Sequence, residues 1–257
     1  MSLMTLRRER IGFTLVELLV SIAVIGILTA LTVPALGRAK EKSKRIACLT
    51  NLRQLGVASQ MYADDDKFQS FSAKVFPEDQ DLNWLNRNYL DSPRAFVCPS
   101  TKNYVSTNIS VSPFNKEGGL KDLIDVAKSR GNVAGKSYQG FGYTGVGVNV
   151  FQEIQIPGGF RTINGIRKSL NNVGTYSKHH DAFGLAGTIP GPSRMWLVGD
   201  QGLLGVLYYP DEADNHGENG ANIVFCDGHV EWVGRSEFIL RYELSQDENR
   251  TTIALPW

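Results

Sequence analysis

The fold is decided near the start of the chain by Gly12-Phe13-Thr14-Leu15-Val16-Glu17-Leu18-Leu19-Val20, whose apolar run continues to Leu36. Of the 24 residues from Phe13 to Leu36, Glu17 is the only charged one. An α-helix rises about 1.5 Å per residue, so this run could extend roughly 36 Å. The hydrocarbon core of a bilayer is about 30 Å thick, so the run is long enough to span a membrane as one helix.

Two ordinary kinds of N-terminal segment compete for this run. A cleaved secretory signal peptide usually has an apolar region of about 7–15 residues and a small-residue cleavage site. This run is longer, and it carries a carboxylate in its first turn. A plain single-span anchor has no use for Glu17, because a carboxylate costs about 2.5–3.5 kcal/mol at the centre of a membrane helix and less near its end. Glu17 is therefore expected to have a partner.

Basic residues flank the apolar run on both sides. The leader contributes three arginines and Glu9, and the segment 38–53 contributes six basic residues and Glu41, whereas the whole chain has a formal net charge of +1. The more basic flank usually stays in the cytoplasm, so charge alone does not settle the orientation here. Nucleic acid binding is one interpretation of the second patch. We prefer a solvated helix face near lipid phosphate, and we expect no nucleic acid partner.

The N-terminal segment resembles the signal of type IV pilins and type II secretion pseudopilins: Gly12, then Phe13 to Glu17, then an apolar helix. The resemblance implies that a prepilin peptidase cuts after Gly12 and that Phe13 becomes the N-methylated first residue. It also implies that Glu17 meets the N-terminal amine of a neighbouring subunit. The physical chemistry agrees, because an ammonium and a carboxylate can neutralise each other between packed helices.

The same resemblance implies a location and a set of partners. The chain would be a single-pass protein of the inner membrane, with its head in the periplasm or in an extracellular filament. Its partners would be prepilin peptidase, other pilin-like subunits and a secretion or pilus assembly machinery. The implied fold class is α+β, in which a long N-terminal helix packs on an antiparallel β-sheet head.

The helical pattern continues beyond the apolar run into the head. Cys48, Leu52, Leu55, Ser59 and Tyr62 recur at spacings of three and four, which predicts one semi-apolar helix face. We therefore divide the chain into a leader (1–12), a membrane-spanning half of the helix (13–36), an amphipathic half (37–64) and an α+β head (65–257). Further along, Met195 to Val198 and Gly205 to Tyr209 have the composition of strands.

Two internal stretches resemble a pseudopilin-like group that is common in planctomycetes, verrucomicrobia and lentisphaerae. They are Cys48-Leu49-Thr50-Asn51-Leu52-Arg53-Gln54-Leu55-Gly56 and Phe96-Val97-Cys98-Pro99-Ser100. An exported head lies in an oxidising compartment, where disulfides persist. The resemblance favours a disulfide between Cys48 and Cys98 that leaves Cys226 free. Three free, buried thiols are the alternative.

A β-hairpin is predicted at about 221–233, where Asp227-Gly228 lies between two alternating runs. A two-residue loop would place Cys226 opposite His229, with Phe225, Val230, Ile223 and Trp232 on one apolar face. The hairpin resembles a processing-associated domain of the same group, which is named for a His, nine residues and then Asp-Gly. Here ten residues separate His216 from Asp227, so the spacing differs by one.

An acidic loop precedes this hairpin. Its carboxylates include Asp211, Asp214 and Glu218, beside Gly217 and Gly220. Oxygen ligands on a flexible loop suit Ca²⁺, and major pseudopilins carry a calcium site in a C-terminal loop. A solvated acidic loop is the simpler interpretation, so calcium is retained here only as a candidate ligand.

Other candidate sites are weaker. His216, Cys226, His229 and Glu231 could converge on zinc, but a structural hairpin explains them more simply. The segment 140–145 matches G-x-G-x-x-G formally, yet an extended stretch follows it where a nucleotide site needs a helix. No known nucleophile motif or HExxH is present, so the chain is not expected to be an enzyme or to require a cofactor.

Together these features predict a prepilin-like structural subunit of a type II secretion pseudopilus or a type IV pilus-like filament. The alternative is a membrane-tethered binding or enzymatic module, such as an adhesin or lectin-like head, that only uses a pilin-type export signal.

Overall fold

The structure is a computed structural model of the 257-residue chain. It describes residues 14–73, 82–86, 88–101, 103–104, 109–112, 115–120, 137–146, 151–156, 159–200 and 215–248. The chain divides into two units, Met1–Ser43 and Lys44–Trp257.

The first unit contains the beginning of helix α1, which extends from Leu15 to Asp65. Apolar side chains from Leu15 to Leu36 are exposed around this part of the helix. By length and composition it can cross a membrane. A helix that is apolar on all sides and unburied by its own chain is suited to lipid or to neighbouring helices.

In the second unit, α1 is amphipathic. Its buried residues recur every three or four positions, so one face of the helix forms part of the head's core. They are Cys48, Leu52, Leu55, Gly56, Ala58, Ser59 and Ala63. The Asp66 carboxylate accepts hydrogen bonds from the backbone N–H groups of Phe68 and Ser70 just after the helix ends, at 3.1 and 3.0 Å.

The central sheet of the head has four antiparallel strands. The strands are β3 (Tyr138–Gly140), β8 (Trp196–Asp200), β9 (Gly220–Phe225) and β10 (Val230–Gly234). Their spatial order is β10-β9-β8-β3. Helix α2 (Arg235–Gln246) follows β10 directly. The strand predicted at Met195 to Val198 is confirmed as β8, whereas the strand predicted at Gly205 to Tyr209 lies outside the described residues.

Both faces of this sheet are buried. On one face, Val198 and Val224 join the cluster that contains Leu52 and Leu55 of α1. On the other face lies a second cluster, which includes residues of β8, β9 and α2; its members are Phe141, Trp196, Ala221, Ile223, Phe225, Val233, Phe238 and Tyr242. The sheet is therefore the middle layer between two helices, and the α+β class is confirmed.

The hairpin β9–β10 forms, but the predicted register was wrong by one residue. Val230 lies opposite Val224 and Trp232 opposite Asn222, and the Phe225 N–H donates to the His229 carbonyl at 3.0 Å. The loop therefore has three residues and ends on Gly228 at φ 87°, a left-handed conformation that suits glycine.

The shifted register also changes which side chains of the hairpin share a face of the sheet. Ile223 and Phe225 belong to the α2 side, whereas Trp232 lies under the Arg45 guanidinium of α1, 3.7 Å from the ring centroid. The predicted single apolar face was wrong because the sheet is covered on both sides. In such a sheet, alternation of polar and apolar residues no longer marks the buried face.

In the part of the chain that the structure describes, the remaining strands form three small two-stranded sheets. The pairs are β1 (Ile109–Ser112) with β2 (Asn115–Leu120), β4 (Tyr143–Thr144) with β7 (Ile166–Arg167), and β5 (Phe151–Ile156) with β6 (Gly159–Asn164). Short 3₁₀ turns occupy Asn83–Leu85, Pro93–Phe96, Ala182–Gly184 and Gly217–Asn219. All of these elements lie in the second unit.

Gly56 allows α1 to approach the sheet closely. A Cβ atom at this position would lie 2.6 Å from Cγ1 of Val224, a stiff and buried side chain. Alanine should gain about 1 kcal/mol in helix propensity but should lose more to the clash, since overpacking costs about 1–3 kcal/mol. We expect Gly56→Ala to lower the free energy of unfolding by up to about 2 kcal/mol, measured by denaturant titration.

Gly37 provides the matched control for this substitution. It lies in the same helix, and a Cβ atom there would meet nothing within 4 Å. Gly37→Ala should be neutral or slightly stabilising, and combining Gly56→Ala with Val224→Ala should relieve the clash. An unfolding free energy of Gly56→Ala equal to that of wild type would contradict the packing argument.

Candidate functional site

Glu17 has a partner within its own helix turn. Its Oε2 atom accepts hydrogen bonds from the backbone N–H and the hydroxyl of Thr14, at 2.9 and 2.7 Å, and the Glu17 N–H donates to Thr14 Oγ1 at 3.3 Å. This reciprocal arrangement is a capping box, which has the sequence signature Thr-x-x-Glu. The sequence prediction overlooked this local role, although the signature was visible at Thr14.

The capping box leaves Glu17 on the surface of the helix. The side chain is exposed, like the apolar residues that follow it. Gly12 and Phe13, the predicted processing residues, lie outside the described residues. The structure thus presents one carboxylate at the beginning of an uncovered apolar helix, and a neighbouring molecule could reach it.

A second polar site lies at the end of β8, around Asp200. This buried carboxylate accepts hydrogen bonds from the backbone N–H and side-chain amide of Asn222, at 2.7 and 3.0 Å, and from the Asn215 amide at 3.1 Å. Burial raises the pKa of Asp200, and His216, Asn222 and Asn215 oppose this rise. The three donors come from the segment 215–222, so Asp200 fixes that segment against the sheet.

His216 joins this site to the cysteines. Its Nε2 atom lies 3.6 Å from Asp200 Oδ2, 3.1 Å from Asn222 Nδ2 and 3.6 Å from Cys98 Sγ. The imidazole side chain is only 1% exposed. The extra residue between His216 and Asp227 therefore does not keep the imidazole away from the sheet, and its neighbours could not have been identified from spacing alone.

Cys48 and Cys98 are joined as a disulfide in the structure, with Cα atoms 5.0 Å apart. The bond ties α1 to the segment after the Pro93–Phe96 turn.

Cys226 is the free cysteine and is buried against the carbonyl of Trp196. Burial raises the pKa of its thiol to about 12, although Lys168 opposes the rise. Cys226 is thus an inert packing residue, because reactivity requires the thiolate.

The four residues that could have converged on zinc do not gather at one point, although His229 Nε2 lies 3.9 Å from Glu231 Oε2. His216 lies at the disulfide, and Cys226 lies beneath β8. His229 contacts the Asp227 carboxylate and stacks on Phe225, and Glu231 pairs with Arg241 at 2.8 Å.

Two of the candidate calcium ligands, Asp211 and Asp214, lie outside the described residues. The third, Glu218, is exposed and pairs with Arg235 at 2.8 Å.

A buried polar cluster surrounds Asp247 at the end of α2. Its carboxylate accepts hydrogen bonds from the Tyr176 hydroxyl and from the backbone N–H groups of His179 and His180, and it lies 3.4 Å from the Lys178 ammonium. Burial alone would raise the pKa of Asp247, but these donors and the lysine charge lower it overall. The backbone of His179 and His180 thereby holds the end of α2.

Residues 7–33 match the prokaryotic N-terminal methylation motif. The type II secretion system core protein G of Pseudomonas aeruginosa is 26% identical over an alignment of 136 positions, and the match covers 47% of this chain and 95% of that protein. The type IV major pilin protein PilA of Myxococcus xanthus is 34% identical over 65 residues, 25% of this chain and 30% of that pilin. No solved structure matches.

The fold and the N-terminal site define a class of protein: an α+β head that follows an apolar helix able to anchor it in a membrane. The methylation motif and the two relatives support a pilin-like structural subunit. The names of the two relatives are those of a secretion-system core protein and a major pilin.

Proposed function

We propose that the chain is the precursor of a filament subunit that is stored in the inner membrane. A prepilin peptidase cuts after Gly12, the new N-terminus at Phe13 is methylated, and the mature subunit joins other pilin-like subunits. The head then lies in the periplasm or in an extracellular filament. The match that spans 95% of a type II secretion protein, against 30% of a type IV pilin, favours a pseudopilus of the secretion type.

The observation that carries this proposal is the single carboxylate of the membrane-spanning helix. Around Glu17, the helix exposes large apolar side chains over more than five turns, to Leu36. A capping box explains why a carboxylate is tolerated at the helix start, since it satisfies backbone donors there. It does not neutralise the charge. The N-terminal ammonium of a neighbouring subunit would do so, and would fix the axial position of one helix against the next.

Mass spectrometry of the mature N-terminus tests the processing step. The chain is purified from cells with and without their prepilin peptidase. We expect a chain that begins at methylated Phe13 only when the peptidase is present, and an intact leader in its absence. A leader that is retained in both strains, or a cut near Ala35, would overturn the proposal.

A further inference from the structure

One face of helix α1 in the head remains exposed, whereas the opposite face is buried. Its exposed side chains recur every three or four positions, so they form a single stripe along the helix. The members of this stripe are Ile46, Thr50, Arg53, Val57, Met61 and Asp64. The apolar members Ile46, Val57 and Met61 are 56, 54 and 49% exposed. Apolar residues aligned in this way on an exposed helix face favour a protein partner.

A groove follows this stripe. Its volume is about 340 Å³, and its lining includes Arg53, Val57 and Met61 of α1 together with Tyr89 and Leu90. The Tyr89 hydroxyl donates to the Asp65 carboxylate of the same helix at 3.2 Å, and the Tyr89 ring packs edge-on against Tyr62. These contacts fix Tyr89 against α1, so the groove is a built feature of the surface.

The stripe is complementary to itself when one copy is displaced by 11 positions along the other. Residues 11 apart lie about 16.5 Å apart along a helix and return to within about 20° of the same side. At this displacement Ile46 of one copy lies level with Val57 of the other, and Arg53 lies level with Asp64. The displacement that pairs apolar residues therefore also pairs opposite charges. An antiparallel arrangement about the middle of the stripe would instead place Ile46 level with Asp64.

We propose that this stripe binds the stripe of a second copy of the chain, with the two helices parallel and staggered by 11 residues. The inference rests on the proposed filament function, because subunits that enter a membrane in one orientation have parallel helices. The contact uses the first half of the stripe from one copy and the second half from the other. The remaining halves can meet further copies, so the contact is heterologous and can continue along a filament.

The apolar residues supply the affinity of this contact, and the charges fix its register. An exposed ion pair adds little affinity, but like charges that face each other oppose a contact strongly. A displacement of seven positions would set Ile46 level with Arg53 and Val57 level with Asp64, so both apolar residues would meet charges. The stripe therefore discriminates against this neighbouring register.

Cross-linking of engineered cysteines in the full-length chain tests the stagger. Ile46→Cys and Val57→Cys are combined in one chain, and filaments are oxidised and analysed without reductant. The two sulfurs cannot bond within one copy, because the positions are about 16.5 Å apart along α1 and a disulfide needs Cα atoms about 4.4–6.8 Å apart. We expect covalent multimers of the double variant and not of either single variant, since identical positions of staggered copies are equally distant. Cys48 and Cys98 are already paired and Cys226 is buried, so the native cysteines do not interfere.

Charge reversal tests the pairing of Arg53 with Asp64. Arg53→Glu and Asp64→Arg should each lower the amount of subunit in sheared filaments by at least roughly fivefold, because each sets like charges level with each other. The double variant restores opposite charges and should assemble to within about twofold of wild type. Arg194→Glu makes the same charge change at an exposed arginine outside α1 and should assemble like wild type. Equal Tm values of the full-length variants in detergent show that the fold tolerates each change.

The outcomes separate this contact from the proposed function. Wild-type filaments of processed subunits, combined with no multimer from Ile46→Cys/Val57→Cys, would overturn the contact alone. The same conclusion would follow if the double charge reversal assembled no better than the single ones. Multimers of Ile46→Cys/Arg53→Cys in their place would assign a displacement of seven and would equally overturn it. A wild-type chain that is not processed and forms no filament would overturn the proposed function, and this contact with it.

Discussion

Filament assembly is expected to fall by about two orders of magnitude when Glu17 is replaced by glutamine. Glutamine can replace glutamate in a capping box, so Glu17→Gln keeps the hydrogen bonds to Thr14 and the start of α1. It removes only the negative charge, which would leave the ammonium of the neighbouring subunit unpaired in a low-dielectric setting. Breaking a buried ion pair costs about 3–5 kcal/mol, enough for this reduction. The measurement is the amount of subunit recovered in sheared filaments or cross-linked oligomers.

Thr14→Ala is the complementary control. It removes the hydroxyl that bonds to Glu17 and keeps the carboxylate, and the loss of such a cap costs about 1 kcal/mol. We therefore expect membrane levels and filament assembly close to wild type. The amount of Glu17→Gln in the membrane fraction should be no lower than that of wild type, since removing a charge favours insertion.

The opposite pattern would separate the two roles of the carboxylate. If Glu17→Gln assembled normally while Thr14→Ala failed, Glu17 would serve the helix start and not the contact between subunits. The chain would then be better described as a tethered module that uses a pilin-type export signal.

The N-terminal half of the architecture could be predicted because its signals are local. Continuous apolar character specifies the exposed helix, and the three-four spacing from Cys48 to Tyr62 specifies the face that is buried in the head. The turn signal at Asp227-Gly228 likewise located the hairpin. It did not fix the register, because Asp-Gly suits a three-residue loop as well as a two-residue one.

The contacts around Asp200 and His216 could not be predicted because they join distant parts of the chain. His216 meets Cys98, which is 118 positions away. Asp200 ends a strand whose five residues are all buried, so nothing in its sequence pattern marks it as an anchor for the segment 215–222. The sheet order places β8 between β3 and β9, and that order brings Ser137 and Asn215 into hydrogen-bonding contact. Local periodicity carries no information on such an order.

A fully buried lysine should make the head more stable in mild alkali. The ammonium of Lys168 contacts the carbonyl of Trp196 at 2.8 Å and the hydroxyl of Ser245 at 3.3 Å. Burial lowers the pKa of Lys168 from 10.5 to about 8, although the neighbouring Cys226 and Glu248 oppose the change. The folded head therefore releases this proton more readily than the unfolded chain does.

The sign of the effect follows from proton linkage. Between the folded pKa of about 8 and an unfolded value of about 10.4, the unfolded chain binds more protons, so stability rises with pH. We expect Lys168 to add about 2 kcal/mol to the free energy of unfolding between pH 7 and pH 9.5. Measurements should stop there, because Tyr62 and Tyr176 have raised pKa values and their ionisation in the unfolded chain reduces stability above about pH 10.

Lys168→Met isolates this contribution, since methionine fills a similar volume without a charge. Urea titrations of wild type and variant across pH 7 to 9.5 should show a smaller rise for the variant. Some rise should remain, because burial also lowers the pKa of Lys178, against the opposing charges of Asp247 and Glu243. Lys67→Met, at an exposed lysine, should keep the full rise. Equal slopes for wild type and Lys168→Met would mean that the ammonium at position 168 is as well solvated in the folded head as in the unfolded chain.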